Sequence, residues 1–144
     1  MKKIVMIIAA FAAISAVSVK AAASIAPTYE SIYSVSPYYE TASAATSTLT
    51  ISGTTAKCES KSIGHSDVKS CTVEQTLEKY WGLWIWNEVE GASWSDTISS
   101  VSGIVTNSKS GLESGTYRLK SVFTVTTSSG ETETITVYSD EKTR

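Results

Sequence analysis

The sequence of 144 residues predicts an all-β fold, an antiparallel β-sandwich with about seven or eight strands. In several segments apolar and polar residues alternate with period two, which is typical of strands that bury one face. Clusters of Gly, Asn, Asp and Ser separate these segments and indicate turns. Beyond the N-terminal region no segment has the period of 3.6 residues that is typical of an amphipathic helix.

The strongest single prediction concerns residues 112–119, where a loop leads into a long alternating strand. Immunoglobulin-like sandwiches carry a Tyr near the start of strand F, and its hydroxyl hydrogen-bonds to backbone a few residues upstream. Here Leu112 can cap the core, Gly115 permits a bend, and Tyr117 begins the alternation. We therefore predict an immunoglobulin-like tyrosine corner between the two sheets. The alternative is an ordinary glycine turn before an ordinary strand.

The N-terminus has the pattern of a secretory signal peptide. Lys2 and Lys3 precede a largely apolar run over residues 4–19, which is short for a membrane span. Small residues then offer cleavage after Ala21 or Ala23, and an uncleaved anchor is the alternative. The sequence thus predicts a secreted, extracellular protein, periplasmic if the host has an outer membrane, that meets a membrane only during export.

Three parts of the chain are predicted: a signal peptide (1–23), an N-terminal arm or edge strand rich in Tyr, Pro and Ser (24–45), and one sandwich domain (46–144). Loss of the three lysines in residues 1–23 lowers the number of Lys and Arg from 12 to 9, against 14 Asp and Glu, so the net charge becomes about −5. An acidic chain without a basic run argues against nucleic acid as a partner.

The two cysteines, Cys58 and Cys71, lie on segments that we predict as strands flanking a turn at residues 64–67. Alternation directs both thiols toward the same interior. An even number of cysteines in an exported chain favours a disulfide, so a Cys58–Cys71 bridge is expected. Two separate buried thiols are the alternative. The spacing with the single distant His does not fit a structural zinc site, and no cofactor or metal is expected.

The following segment is predicted as a hairpin that reverses at Gly82. A strand is expected over residues 84–89, irregular structure over 91–96, a further strand over 98–106 and a loop over 107–111.

Tryptophan is concentrated in this segment, at Trp81, Trp84, Trp86 and Trp94. Immunoglobulin-like cores bury a Trp, usually on strand C. The predicted strand C carries smaller apolar residues, so we expect one or two of the four to pack the core and the cluster to be mainly structural. Exposed aromatic side chains can also stack on sugars or anchor a protein partner. A ligand-binding role for at least one Trp is therefore the alternative.

Candidate catalytic residues are few. His65 is the only histidine, and its neighbours Ser66 and Asp67 share its predicted turn, which is not the arrangement of a Ser-His-Asp triad. Carboxylate pairs such as Glu131 and Glu133 are two positions apart and are expected on solvated strand faces, without the opposed arrangement that a glycosidase needs. We expect no catalytic residues.

The motifs together resemble a known group of proteins. They are residues 49–58 (LTISGTTAKC), residues 77–79 before the Trp-rich hairpin, residues 115–120 (GTYRLK) and residues 134–139 (TITVYS). With the signal peptide, the chain is similar to small secreted proteins of Gram-positive bacteria with an immunoglobulin-like β-sandwich. The resemblance covers nearly all of the chain after the signal peptide and implies the fold but no activity. Antibody domains carry a Cys two residues after the corner Tyr, but this position is Leu119 here, so the antibody-type disulfide between the sheets is not expected.

The sequence therefore predicts a secreted, non-enzymatic module that binds an unknown extracellular protein or glycan. A carbohydrate-binding module that uses exposed Trp residues is the alternative, and a secreted hydrolase is the least favoured.

Overall fold

The computed structural model describes residues 38–144, and every regular element in this part is a strand. The strands are β1 (Ala42–Ser52), β2 (Thr55–Gly64), β3 (Val68–Gly82), β4 (Ile85–Ile98), β5 (Ser102–Lys109), β6 (Thr116–Thr127), β7 (Thr132–Tyr138) and β8 (Lys142–Thr143). The predicted signal peptide and residues 24–37 of the predicted arm lie outside the described residues. Within residues 38–144 no helix is long and apolar enough to cross a membrane.

Two antiparallel sheets form the fold. The first has the order β1-β2-β5, and the second has the order β4-β3-β6-β7, with β8 paired to the start of β6. The connections from β2 to β3, from β4 to β5 and from β5 to β6 each pass from one sheet to the other. Buried apolar side chains from both sheets pack between them. The predicted all-β sandwich is confirmed.

Strand β6 is central in the second sheet, and its alternation agrees with the sequence prediction. Its inward side chains are all buried, namely Tyr117, Leu119, Ser121, Phe123, Val125 and Thr127. The register places Val73 of β3 and Ile135 of β7 on either side of Phe123, so three strands contribute to one buried row. Period two therefore reports which face of this strand is buried.

The segment before β6 carries the chain from the first sheet to the second. The Tyr117 hydroxyl donates a hydrogen bond of 2.7 Å to the carbonyl oxygen of Glu113, four residues upstream. Leu112 is buried, and its N–H donates to the carbonyl of Thr54 at 2.9 Å. Gly115 exchanges backbone hydrogen bonds with Arg144. Tyr117 thus makes the upstream backbone bond that defines a tyrosine corner.

Replacement of Tyr117 by Phe is expected to lower the free energy of unfolding by about 1 kcal/mol, because the carbonyl of Glu113 loses its donor inside the corner. Urea denaturation measures the change. Tyr138→Phe is the matched control, since Tyr138 is 47% exposed and the change keeps the ring that contacts Arg118. Equal midpoints for the wild type and Tyr117→Phe would contradict a stabilising role for this hydroxyl.

The core contains two apolar clusters with a group of polar side chains between them, which we call the polar belt. Gln75 Nε2 donates to Ser60 Oγ at 2.6 Å and to the carbonyl of Val105 at 3.3 Å, and Gln75 Oε1 accepts from Asn107 Nδ2 at 3.0 Å. Ser121 continues the belt through hydroxyl contacts with Ser60 at 2.7 Å and with Ser47 at 2.8 Å. Hydrogen bonds therefore cross from one sheet to the other at the centre of the sandwich.

The predicted Cys58–Cys71 disulfide is wrong, because both cysteines are free and buried. The prediction treated β2 and β3 as neighbours that bring the two thiols together. They lie instead in opposite sheets, and the two cysteines belong to different apolar clusters. Burial raises the pKa of Cys58 to about 12 and also raises the pKa of Cys71, so both remain protonated thiols.

Contacts across the core give the physical reason for the separation. Cys71 lies beside Ser62, whose hydroxyl offsets part of the effect of burial on the cysteine pKa. Cys58 comes four residues before Ser62 on β2, a distance of about 13 Å along a strand. A disulfide needs Cα atoms within about 7 Å. The two cysteines therefore lie too far apart along the strand direction to form a disulfide.

The path from β4 to β5 also differs from the prediction. Residues 91–96 are part of β4 rather than irregular, Ile98 ends β4 rather than beginning a strand, and β5 extends through residues 107–109. Pairing stabilises these Ser- and Gly-rich segments, since β5 is matched to β2 from Ile63 opposite Ser102 to Ala56 opposite Lys109. Backbone pairing therefore outweighs weak strand propensity here.

A bulge in β4 explains why residues 91–96 lack a simple pattern. Pairing with β3 steps from Thr76 opposite Ser93 to Glu78 opposite Glu88, so β4 has extra residues at this point. The bulged segment directs Val89 and Ala92 into the second apolar cluster. The irregular sequence pattern thus reflects a bulge within a strand.

Glu133 on β7 joins the second sheet to the residues before β1. Its carboxylate accepts hydrogen bonds from the N–H of Glu40 at 3.1 Å, the N–H of Thr41 at 2.8 Å and the hydroxyl of Thr41 at 2.5 Å. Burial opposes the charge, but these donors outweigh it, so the pKa of Glu133 lies below its usual value. Glu133 is therefore partly exposed on its strand face and also hydrogen-bonded to the residues before β1.

This contact predicts a specific dependence of stability on pH. Because the pKa of Glu133 is lower in the folded than in the unfolded state, its stabilisation is complete above the unfolded value of about 4.3 and is lost as pH falls through the folded value. We expect Glu133→Gln to be less stable than the wild type near neutral pH and to lose less stability on acidification to about pH 3. Urea midpoints across this range measure the effect. Parallel curves for the two proteins would contradict it.

Candidate functional site

The hairpin between β3 and β4 ends in a loop of only two residues, Leu83 and Trp84. Gly82 pairs with Ile85, so the reversal lies one residue beyond the predicted position and Trp84 is not in a strand. Both loop residues have positive φ, 50° for Leu83 and 66° for Trp84. Two-residue hairpin loops with this backbone favour Asn-Gly, because positive φ is unfavourable for large side chains. The sequence has no such turn signal, which is why the loop was misplaced.

The residues at this end of the hairpin expose large apolar side chains. Trp84 is 89% exposed, Leu83 is 87% exposed and Trp81 is 74% exposed, while Ile85 is about half exposed. The eight residues from Tyr80 to Asn87 carry no charge. We call residues 81–85 the hairpin tip. Its backbone is strained and its apolar side chains gain little from packing, a combination that is typical of functional rather than structural segments.

An aromatic and charged stack on the outer face of the second sheet supports the base of the hairpin. The guanidinium of Arg118 lies between the rings of Trp86 and Tyr138, 4.2 Å and 4.3 Å from their centroids. Arg118 Nε also donates to the carboxylate of Glu78 at 2.6 Å, and the ring of Tyr80 lies 5.2 Å from that of Trp86. Cation–π contacts and a charged hydrogen bond therefore hold Trp86 on the sheet surface.

The structure separates the four tryptophans into two pairs. Trp94 pairs with Gln75 across β3 and β4 and packs against the second apolar cluster, and Trp86 belongs to the stack with Arg118. Trp81 and Trp84 project from the hairpin tip. Two tryptophans thus have packing roles, and two are available for contact with another molecule.

A cleft of about 330 Å³ lies between the hairpin and the corner before β6. The exposed ring of Trp81 borders it, and most of the remaining lining is polar or charged, including Lys79, Asn87, Glu88, Glu90, Lys109 and Glu113. Lys79 Nζ forms an ion pair of 2.9 Å with Glu113, and this contact raises the pKa of Lys79 and lowers that of Glu113. The cleft therefore combines one aromatic surface with several hydrogen-bonding groups.

The predicted turn with His65 lies at the other end of β3. His65, Ser66 and Asp67 are all exposed, and the His65 N–H donates to the carbonyl of Thr41 at 3.0 Å. Because β3 has 15 residues, this turn is separated from the hairpin tip by about 45 Å along the strand. Within residues 38–144 no three His, Cys, Asp or Glu side chains form a group suited to a metal ion.

Only some of the residues at the hairpin tip and the cleft could be identified from the sequence. Trp81 and Trp84 were among the candidates, but Leu83 and Ile85 were not, because an apolar run beside Trp is equally typical of a buried strand. The other cleft residues were missed, since they come from separate parts of the chain, on β3, β4, β5 and the corner.

Comparison of the chain with protein-family models, with curated proteins and with solved structures gives no match.

Proposed function

We propose that this protein is a secreted, non-enzymatic binding module that contacts an extracellular partner through the hairpin tip. The observation that carries the proposal is the conformation of Leu83 and Trp84, which combine positive φ with nearly full exposure. Strain of this kind persists where function requires it. The single histidine lies on the distant turn, away from the tip and the cleft, which favours binding over acid–base chemistry at this site.

We also propose that the sandwich is of the immunoglobulin-like type. With β1, β2 and β5 as strands A, B and E, the second sheet reads C′, C, F and G, which is the arrangement around strands C and F in variable-type domains. The hydrogen bond of Tyr117 at the start of β6 supports the assignment of β6 as strand F. In this assignment the β3–β4 loop is the C–C′ loop, at the end of the sandwich opposite the B–C and F–G loops that bind antigen in variable domains, so the binding proposal rests on the hairpin tip itself.

The test measures binding of the labelled protein, without residues 1–23, to intact Gram-positive cells. The variant Leu83→Asn with Trp84→Gly keeps a two-residue loop but removes both exposed side chains. The control is Ile104→Thr, which changes an apolar side chain on β5 that is 57% exposed. We expect the wild type and the control to bind and the double variant to lose at least about tenfold in affinity. Equal binding by all three proteins would overturn the proposal.

The cleft favours carbohydrate binding as a second candidate function. The exposed ring of Trp81 offers a stacking surface, and the neighbouring carboxylates, amide and ammonium groups can bond to sugar hydroxyls. We expect cell-wall or plant glycans to quench tryptophan fluorescence in the wild type and in Trp84→Gly but not in Trp81→Ala. An absence of quenching across the glycan panel would exclude this function.

A further inference from the structure

We infer that the partner of the hairpin tip is the surface of a lipid bilayer, into which residues 81–85 insert as an interfacial anchor. This inference rests on the proposed function and names the chemistry of its partner. It differs from the sequence expectation that the protein meets a membrane only during export. Three observations carry it: the side chains of the tip, the distance from the tip to the first charged groups, and the charge balance around it.

The side chains of the tip match an apolar boundary better than a polar ligand. Leu83 and Ile85 cannot hydrogen-bond to sugar hydroxyls, and Trp81 and Trp84 each have only one indole N–H. The two loop residues are almost fully exposed, so the tip projects from the protein rather than enclosing a ligand. A lipid interface needs no complementary pocket, and Trp is enriched at this boundary.

The distance from the tip to its polar surroundings fits interfacial insertion. Tyr80 pairs with Trp86, three residues before Leu83 on β3 and two residues after Trp84 on β4, which corresponds to about 7–10 Å. Interfacial segments bury their apolar face by about 5–10 Å. The Tyr80–Trp86 ring pair would then lie at the level of the headgroups, where amphipathic aromatic side chains are favoured. The ion pair between Arg118 and Glu78 lies immediately behind and would remain in water.

The charges around the tip indicate that apolar insertion, and not attraction to anionic lipid, would supply the affinity. Both basic side chains nearest the base are paired, Lys79 with Glu113 and Arg118 with Glu78. In the adjoining cleft the two carboxylates of Glu88 and Glu90 outnumber the single ammonium of Lys109. Membrane anchors that are rich in Lys and Arg bind anionic lipids by electrostatic attraction, and their affinity falls as the salt concentration rises. This tip should instead bind zwitterionic lipid and depend little on salt.

The experiment uses the protein without residues 1–23, because the apolar run at 4–19 would itself bind lipid, and all described strands lie beyond residue 41. Vesicles of phosphatidylcholine are sedimented with the wild type, with Leu83→Asn/Trp84→Gly and with the control Ile104→Thr. Tryptophan quenching by brominated phosphatidylcholine reports insertion. We expect binding and quenching for the wild type and the control, and a loss of at least about tenfold in affinity for the double variant. Addition of phosphatidylglycerol should not strengthen binding.

Three results would overturn the inference: no binding of the wild type to phosphatidylcholine, equal binding of the double variant, or binding only when phosphatidylglycerol is present. The cell-binding test separates this inference from the proposed function. If the tip is needed for cell binding but the wild type does not bind vesicles, the membrane inference fails and a surface protein or glycan is the partner. If the tip is needed for neither, both proposals fail.

Discussion

Replacement of Gln75 by Ala is expected to lower the free energy of unfolding by about 3 kcal/mol. Gln75 is fully buried, and it hydrogen-bonds to two side chains of the polar belt, Ser60 and Asn107, and to the carbonyl of Val105. Its removal leaves a cavity, deprives the carbonyl of Val105 of a donor and leaves the amide of Asn107 without its inner acceptor. No buried side-chain N or O atom lacks a partner within residues 38–144, so the variant creates a defect that this core otherwise avoids.

Urea denaturation of three proteins tests the role of the belt. Glu74→Gln is the matched control, because Glu74 is the neighbouring residue on the exposed face of β3 and its change should cost less than about 0.5 kcal/mol. Gln75→Met fills the volume without restoring the hydrogen bonds, so we expect a loss between that of the control and that of Ala. If Gln75→Ala unfolds at the wild-type midpoint, the hydrogen bonds of the belt do not stabilise the sandwich.

The variant Leu83→Asn with Trp84→Gly is expected to raise the free energy of unfolding by about 2 kcal/mol. Each residue has positive φ, a conformation that costs an ordinary side chain about 1 kcal/mol or more, whereas Asn-Gly adopts it readily. Little packing is lost, since both side chains are more than 80% exposed, at 87% and 89%. The added backbone entropy of Gly in the unfolded chain offsets part of the gain.

Thermal and urea denaturation measure this gain, with Leu83→Asn alone as an intermediate case. An increase in stability together with a loss of binding would mean that the wild-type loop is kept for contact at the expense of stability. Unchanged or lower stability in the double variant would contradict the strain that we assign to the loop.

The sequence by itself determined the class of fold and the buried faces of the central strands. In β6 and β3 one face meets the core and the other is more accessible to solvent, so alternation is imposed on residues such as Phe123 and Val73. Tyr117 and Gly115 also located the passage between the sheets, because a glycine turn before an alternating strand is a local pattern. The Trp-rich segment was likewise recognisable as a hairpin and as the candidate binding region.

Only the tertiary structure decided which strands face each other, and which residues of the two sheets lie at the same position along the sandwich. Period two assigns a residue to a face but not to a sheet or to a level in the core, so it could not separate Cys58 from Cys71 or find the partners of Gln75. The ends of β4 and β5 depend on backbone pairing with β3 and β2, which local propensity does not report. Leu83 and Trp84 form the loop beyond the last paired residues of β3 and β4, where neither sheet can cover their side chains. Their apolar side chains are exposed for this reason, and local sequence does not report it.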